Sequence, residues 1–133
     1  MIISSTLISY LNINETINQE SNVAFLKDYP LFEIITACFI APIIEELVFR
    51  KSLRKGIKNN KNYIIITSII FSFIHVSTSL STNPLSLIHL IPYGALSVAL
   101  AKTYTDTNNI FSNISIHIFH NTLAIIELLL LGV

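Results

Sequence analysis

Four apolar runs follow one another along the chain, and they constrain its fold more than any other feature. They are Leu31–Phe49, Tyr63–Leu80, Pro84–Ala101 and Ile110–Val133. Each is close to the ~20 residues that a helix needs to cross a bilayer core. Helix is the expected form because isolated strands leave their backbone groups unsatisfied in lipid. The breaks between runs are polar and turn-forming: "KNNKN" at 58–62, "STNP" at 81–84 and "DTNN" at 106–109. Only 12% of the 133 residues are charged, about half the usual fraction for a soluble domain. The expected fold is all-α, a polytopic membrane bundle of about four transmembrane helices.

Net charge is zero, but the charges are unevenly placed. Six of the eight Lys and Arg residues fall within residues 50–61: Arg50, Lys51, Arg54, Lys55, Lys58 and Lys61. Flanked by apolar runs, this cluster reads as a cytosolic, membrane-surface signal rather than a nucleic-acid site. It puts residues 1–30 outside, the 81–84 turn outside, the 102–109 turn inside and the C-terminus outside. The chain then divides into residues 1–30, an extracytoplasmic or interfacial segment, and residues 31–133, the transmembrane core. "MIISSTLISYL" at 1–11 is too short to cross, so it reads as an interfacial helix or the tail of a crossing one. No basic region precedes it, which argues against a cleaved signal peptide. The single cysteine, Cys38, forms no intrachain disulfide.

The apolar runs are not uniformly oily. The first holds Glu33, Pro42, Glu45 and Glu46, the second His75, the third His89 and Tyr93, and the fourth Asn113, His117, His120 and Asn121. Ionisable groups in membrane helices are costly and usually face a bundle interior or a water-filled cavity. Residues four apart share a helix face, so Glu46 can pair with Arg50, while Glu45 points about 100° away and is left for another purpose. Pro42 lacks an N–H, which in an α-helix frees the carbonyl of Cys38 and predicts a kink. With a hairpin tip near Asn60, Glu45 and His75 lie at equal depth, roughly 22 Å from the tip at ~1.5 Å per residue. His117 lies roughly 13 Å beyond the turn near Asn108, a compatible level. Each feature also has a simpler reading. The Glu-Glu-x-x-x-Arg pattern alone is an interfacial ion pair, and the histidines and amides alone are interhelical glue, as are His89 and Tyr93. Three such items in order and at one depth favour a site.

These residues also carry a resemblance. "EELVFR" at 45–50 matches an EE-x-x-x-R motif, "FSFIH" at 71–75 matches F-x-x-x-H, and "HIFHN" at 117–121 matches H-x-x-x-N. In this order on membrane helices, over roughly Leu31 to Ala124, the sequence resembles the CAAX protease and bacteriocin-processing family, also called the Abi family. The resemblance implies an intramembrane protease. It casts Glu45 as the carboxylate that activates water, Glu46 and Arg50 as its supporting pair, His75 and His117 as the site histidines, and Asn121 as an amide donor. Two mechanisms stay open. In one, Glu45, His75 and His117 bind Zn²⁺, which acidifies a water and polarises the scissile carbonyl. In the other, Glu45 is a metal-free general base with His75, and His117 and Asn121 stabilise the oxyanion. The H-E-x-x-H zincin pattern is absent. His120 has no assigned role beyond hydrogen bonding.

The expected function is therefore an intramembrane endopeptidase of a bacterial cytoplasmic membrane, multi-pass, acting on a bacteriocin, leader or pheromone peptide. A non-catalytic bacteriocin self-immunity protein that binds a toxin or its receptor is the alternative. The expected partners are the lipid bilayer and a peptide or protein substrate. Family members usually carry further transmembrane helices before the EE motif. That difference implies a truncated start, or a minimal form completed by a homo-oligomer or by partner helices.

Overall fold

The computed structural model describes residues 15–130; the "MIISSTLISYL" stretch lies outside them. Thr16 caps the first helix, α1 (Ile17–Asp28), by accepting the N–H of Gln19, a standard way to satisfy an orphan donor at a helix start. Pro30 opens the next helix, at a first-turn position where its missing N–H costs nothing. This helix, α2, is assembled from Pro30–Ile35, Thr36–Ile40, Ala41–Glu45, Glu46–Ser52 and Leu53–Gly56, in unbroken succession. The second and fourth pieces are π-helical: Ala41 donates to the carbonyl of Thr36, and Leu53 to that of Val48, five residues back.

Asn59 caps α3 (Asn60–Leu80) through the N–H of Asn62. A 3₁₀ segment, Pro84–His89, is capped by Asn83 and leads directly into α4 (Leu90–Thr107). Asn108 ends α4 in the left-handed conformation, φ 51°, which asparagine tolerates better than most residues. The last helix is α5 (Ile110–Leu130). No strand occurs among the described residues. Helices α3 and α4 pack most extensively. A Cβ on Gly94 would come 3.3 Å from the Ser72 hydroxyl, so glycine permits that close approach.

Among the described residues, three helical segments are long and apolar enough to cross a membrane: Asn60–Leu80, Pro84–Thr107 and Ile110–Leu130. The first apolar run of the sequence is the exception to the expected four. Its helix is long, but it is interrupted by two π segments and carries Glu33, Glu45, Glu46 and Arg50. The chain is a multi-pass helical membrane protein whose charges are concentrated on one helix.

Polarity runs from inside to outside, as a lipid solvent requires. Ile65, Ile69, Phe73, Ile91, Phe111 and Phe119 are exposed, whereas Glu46, Arg50, Thr67, Ser97, Asn113 and His117 are buried. With lipid outside there is little to gain from burying aliphatic side chains, so packing and interhelical hydrogen bonds hold the helices together. Two small apolar clusters bracket this polar centre. Leu26, Cys38 and Ile125 join α1, α2 and α5 at one end. Tyr63, Ala101 and Tyr104 join α3 and α4 at the other.

Candidate active site

Adjacent glutamates on α2 have different fates. Glu46 is fully buried and saturated. Its Oε2 accepts from Arg50 Nε at 3.2 Å and from Asn113 Nδ2 at 3.0 Å, and its Oε1 accepts from His117 Nδ1 at 3.0 Å. Arg50, also fully buried, continues outward. Its Nη2 donates to Ser97 at 3.1 Å, its Nη1 lies 3.5 Å from the Thr67 hydroxyl, and its guanidinium sits 5.6 Å from the Phe71 ring centre. A buried ion pair survives only when hydrogen bonds repay the lost hydration. Four helices supply those bonds here. The amide of Asn113 also donates to the Leu100 carbonyl at 2.7 Å, fastening α5 to α4.

Glu45, one residue earlier, turns into a cavity and keeps 23% of its side chain exposed. Its Oε1 lies 3.8 Å from His75 Nε2 and its Oε2 lies 3.7 Å from His117 Nε2. The other nitrogen of each ring is committed. His75 Nδ1 is 2.8 Å from the Phe71 carbonyl and His117 Nδ1 is 3.0 Å from Glu46. Both partners are acceptors, so in each neutral ring the proton sits on Nδ1 and Nε2 presents a lone pair. Two lone pairs therefore face one carboxylate, at separations too long for direct hydrogen bonds. Such a gathering of acceptors suits a water or a cation between them.

The donor set tests well for zinc in chemistry: two imidazoles oriented through Nδ1, one by a carboxylate and one by a backbone carbonyl, plus a free carboxylate. It is not drawn together into a preformed cage; among the described residues no three His, Cys, Asp or Glu side chains stand as a metal cluster.

The rings are held by stacking. His75 lies between Phe71, at 4.3 Å between ring centres, and Tyr93 of α4, at 4.8 Å, both at 29°. Tyr93 is therefore part of the wall of the site rather than interhelical glue alone. Its hydroxyl is 3.5 Å from that of Thr16, and Ile17 N–H donates to Ser79 at 2.8 Å, so the start of α1 is fastened beside the cavity.

Pro42 acts differently from the expected kink. Because Thr36–Ile40 is π-helical, the carbonyl that would await residue 42 is that of Ala37, five residues back, and not that of Cys38. Asn121 Nδ2 donates to Ala37 at 2.9 Å and fills that vacancy. The second N–H of the Asn121 amide remains for another acceptor, and both Asn121 and His120 line the cavity.

The cavity measures about 630 Å³ and runs from Glu45, His75 and His117 past Tyr93 and Asn121 toward α1. Glu45, Glu46, Arg50, His75 and His117 thus converge through side-chain contacts, while Asn121 joins through the backbone of α2. Asn113, Thr67, Ser97 and Tyr93 belong to the same arrangement; the sequence marks Asn113, Ser97 and Tyr93 as polar groups without a site role, and does not mark Thr67. The available signal was their type: polar groups inside apolar runs, with Asn113 one turn before His117.

A buried carboxylate–arginine scaffold thus holds a carboxylate and two oriented imidazoles at the head of a cavity among apolar helices. Residues 27–123 match the family described as Type II CAAX prenyl endopeptidase Rce1-like, and the chain belongs to that family. Among curated relatives, it is 30% identical over 125 residues to an "Uncharacterized protein" of Mycoplasma capricolum, covering 87% of this chain and 35% of that one. It is 29% identical over 118 residues to "UPF0177 protein YvdC" of Lactococcus lactis, covering 87% and 42%. It is also 29% identical over 115 residues to "Putative membrane peptidase YdiL" of Bacillus subtilis, covering 84% and 43%. The chain spans less than half the length of each of these relatives. No solved structure matches it.

Proposed function

We propose that the protein is an intramembrane endopeptidase of a bacterial cytoplasmic membrane, hydrolysing a membrane-associated peptide such as a bacteriocin, leader or pheromone peptide. The observation that carries this reading is the Glu45 carboxylate facing the free Nε2 atoms of His75 and His117 at 3.8 and 3.7 Å, at the head of a cavity. Family membership and the peptidase name of the Bacillus relative support it, as does the bacterial origin of the relatives.

In the proposed reaction, water sits between Glu45 and a histidine. Glu45 takes one proton as the water oxygen attacks the scissile carbonyl carbon. The developing oxyanion is stabilised by the remaining N–H of Asn121. When the tetrahedral intermediate collapses, the C–N bond breaks and Glu45 returns the proton to the leaving amine. Glu46 and Arg50 take no direct part. Glu46 fixes the ring of His117 through Nδ1, and Arg50 balances the charge of Glu46. If a divalent cation such as zinc is used, Glu45, His75 and His117 would hold it, and it would supply a more acidic water and a polarised carbonyl.

The test compares membranes bearing wild type or Glu45→Gln at matched abundance, with peptide products read by mass spectrometry. Fragments found only with wild type establish the protease, and their ends give the specificity. Identical peptide profiles, with any protective phenotype kept by the variant, establish the non-catalytic immunity protein instead.

A further inference from the structure

Four carboxylates line the cavity, those of Glu15, Glu33, Glu45 and Glu127, and none of the chain's eight Lys and Arg side chains does. Glu45 is used by the proposed chemistry; the others are not. Glu33 is the informative one. It is only 5% exposed, and among the described residues its carboxylate has no hydrogen-bond or ion-pair partner. A carboxyl so placed without a partner is costly to ionise, and a cation entering the cavity beside it relieves that cost. Glu127, half-buried on α5, belongs to the same end of the molecule. The α1–α2–α5 cluster of Leu26, Cys38 and Ile125, with Ile34 and Leu128 packed on it, ties the two helix ends together.

We infer that this end of the cavity is a subsite for a basic side chain of the peptide substrate, with Glu33 and Glu127 as its specificity-determining residues. The inference rests on the endopeptidase reading for the word substrate, but the charge selectivity follows from the cavity itself. Its position is set by helix length. Glu33 lies twelve residues before Glu45, roughly 18 Å along the axis, and Glu127 lies ten residues after His117, roughly 15 Å. An extended peptide advances ~3.3 Å per residue. A Lys or Arg about four to five residues from the scissile bond would therefore reach the subsite. Six of the eight Lys and Arg residues lie in residues 50–61, away from this end, and none of the eight lines the cavity.

The experiment uses the full chain in detergent and three fluorescent leucine-rich peptides of about ten residues, identical except for Lys, Gln or Glu at one position. Anisotropy should show the Lys peptide binding about tenfold tighter than the Gln peptide, with the Glu peptide weakest. Glu33→Gln with Glu127→Gln should bring the Lys-to-Gln ratio within about twofold while leaving Gln-peptide affinity unchanged. Should the double variant not fold, Glu127→Gln alone should still reduce the ratio by about threefold. Equal binding of the Lys and Gln peptides, no binding of any, or a preference that survives these substitutions would overturn the subsite. Cleavage is followed with the same peptides. Lys-selective binding without cleavage upholds the subsite and counts against the protease; cleavage blind to charge does the reverse.

Discussion

Glu45 and Glu46 are neighbours in sequence and opposites in environment. Every oxygen of Glu46 is used: Arg50, Asn113 and His117 converge on it, and no solvent reaches it. Glu45 keeps nearly a quarter of its surface open and touches its two histidines only loosely. A buried carboxylate with donors on both oxygens and no solvent access has no opening to a reacting water. A loosely held one at the head of a cavity does. The difference teaches that a rigid, closed carboxylate and an open one are set on adjacent residues, with His117 as the link, bound through Nδ1 to one glutamate and facing the other through Nε2; the proposed chemistry assigns reactivity to the open one.

Substitutions can break that division cleanly. Glu45→Gln should lower turnover about 10²- to 10⁴-fold while leaving the detergent unfolding transition in place; a parallel loss of stability would show that Glu45 is structural. Arg50→Ala should show the other half, leaving Glu46 buried without its counter-charge and destabilising the fold by ~3–5 kcal/mol. Chemical denaturation would measure it, and a change below ~1 kcal/mol would mean the network does not hold the bundle. Asn113→Ala should cost ~1–3 kcal/mol, because it withdraws one donor from Glu46 and one from the Leu100 carbonyl. Tyr93→Leu removes the stacking on His75 and the long, 3.5 Å hydroxyl contact with Thr16. Cleavage should fall by about threefold to tenfold, following the ~0.5–1.5 kcal/mol of an aromatic pair, with stability nearly unchanged. The smallest effect belongs to the exposed Lys102–Asp106 pair, where Lys102→Ala should shift stability by no more than ~0.5 kcal/mol.

The helices were legible because lipid imposes one simple rule on length and hydropathy, and the turn residues Asn59, Asn83 and Asn108 mark three boundaries where the structure puts them. The meeting of Glu45, His75 and His117 was legible through depth, since counting residues from each turn fixes a level. What counting could not give was azimuth. Asn113, Thr67 and Ser97 are ordinary polar residues until the rotation of each helix is known, and only then do they fall on Arg50 and Glu46. Tyr93 was read as glue with His89 because one helix alone cannot show that its ring meets His75. Pro42 was read against an α-helical hydrogen-bond pattern, and the π-helical one hands the free carbonyl to Ala37 instead.

The wide turn at Thr36–Ile40 has a further consequence, for tolerance to change in length. Each π segment holds one residue more than the α-helix that would replace it. Deleting a residue between Ala37 and Pro42 would suit the backbone, which could relax into ordinary α-helix with Pro42 then leaving open the carbonyl of the residue four back. The same deletion would keep Glu33 in step with Glu45, because the wide turn already absorbs the rotation of its extra residue, and would leave Asn121 the Ala37 carbonyl it now serves. Where an ordinary membrane helix would answer a lost residue by turning one flank about 100° against the other, this one would shed the residue and keep its two working faces pointed into one space.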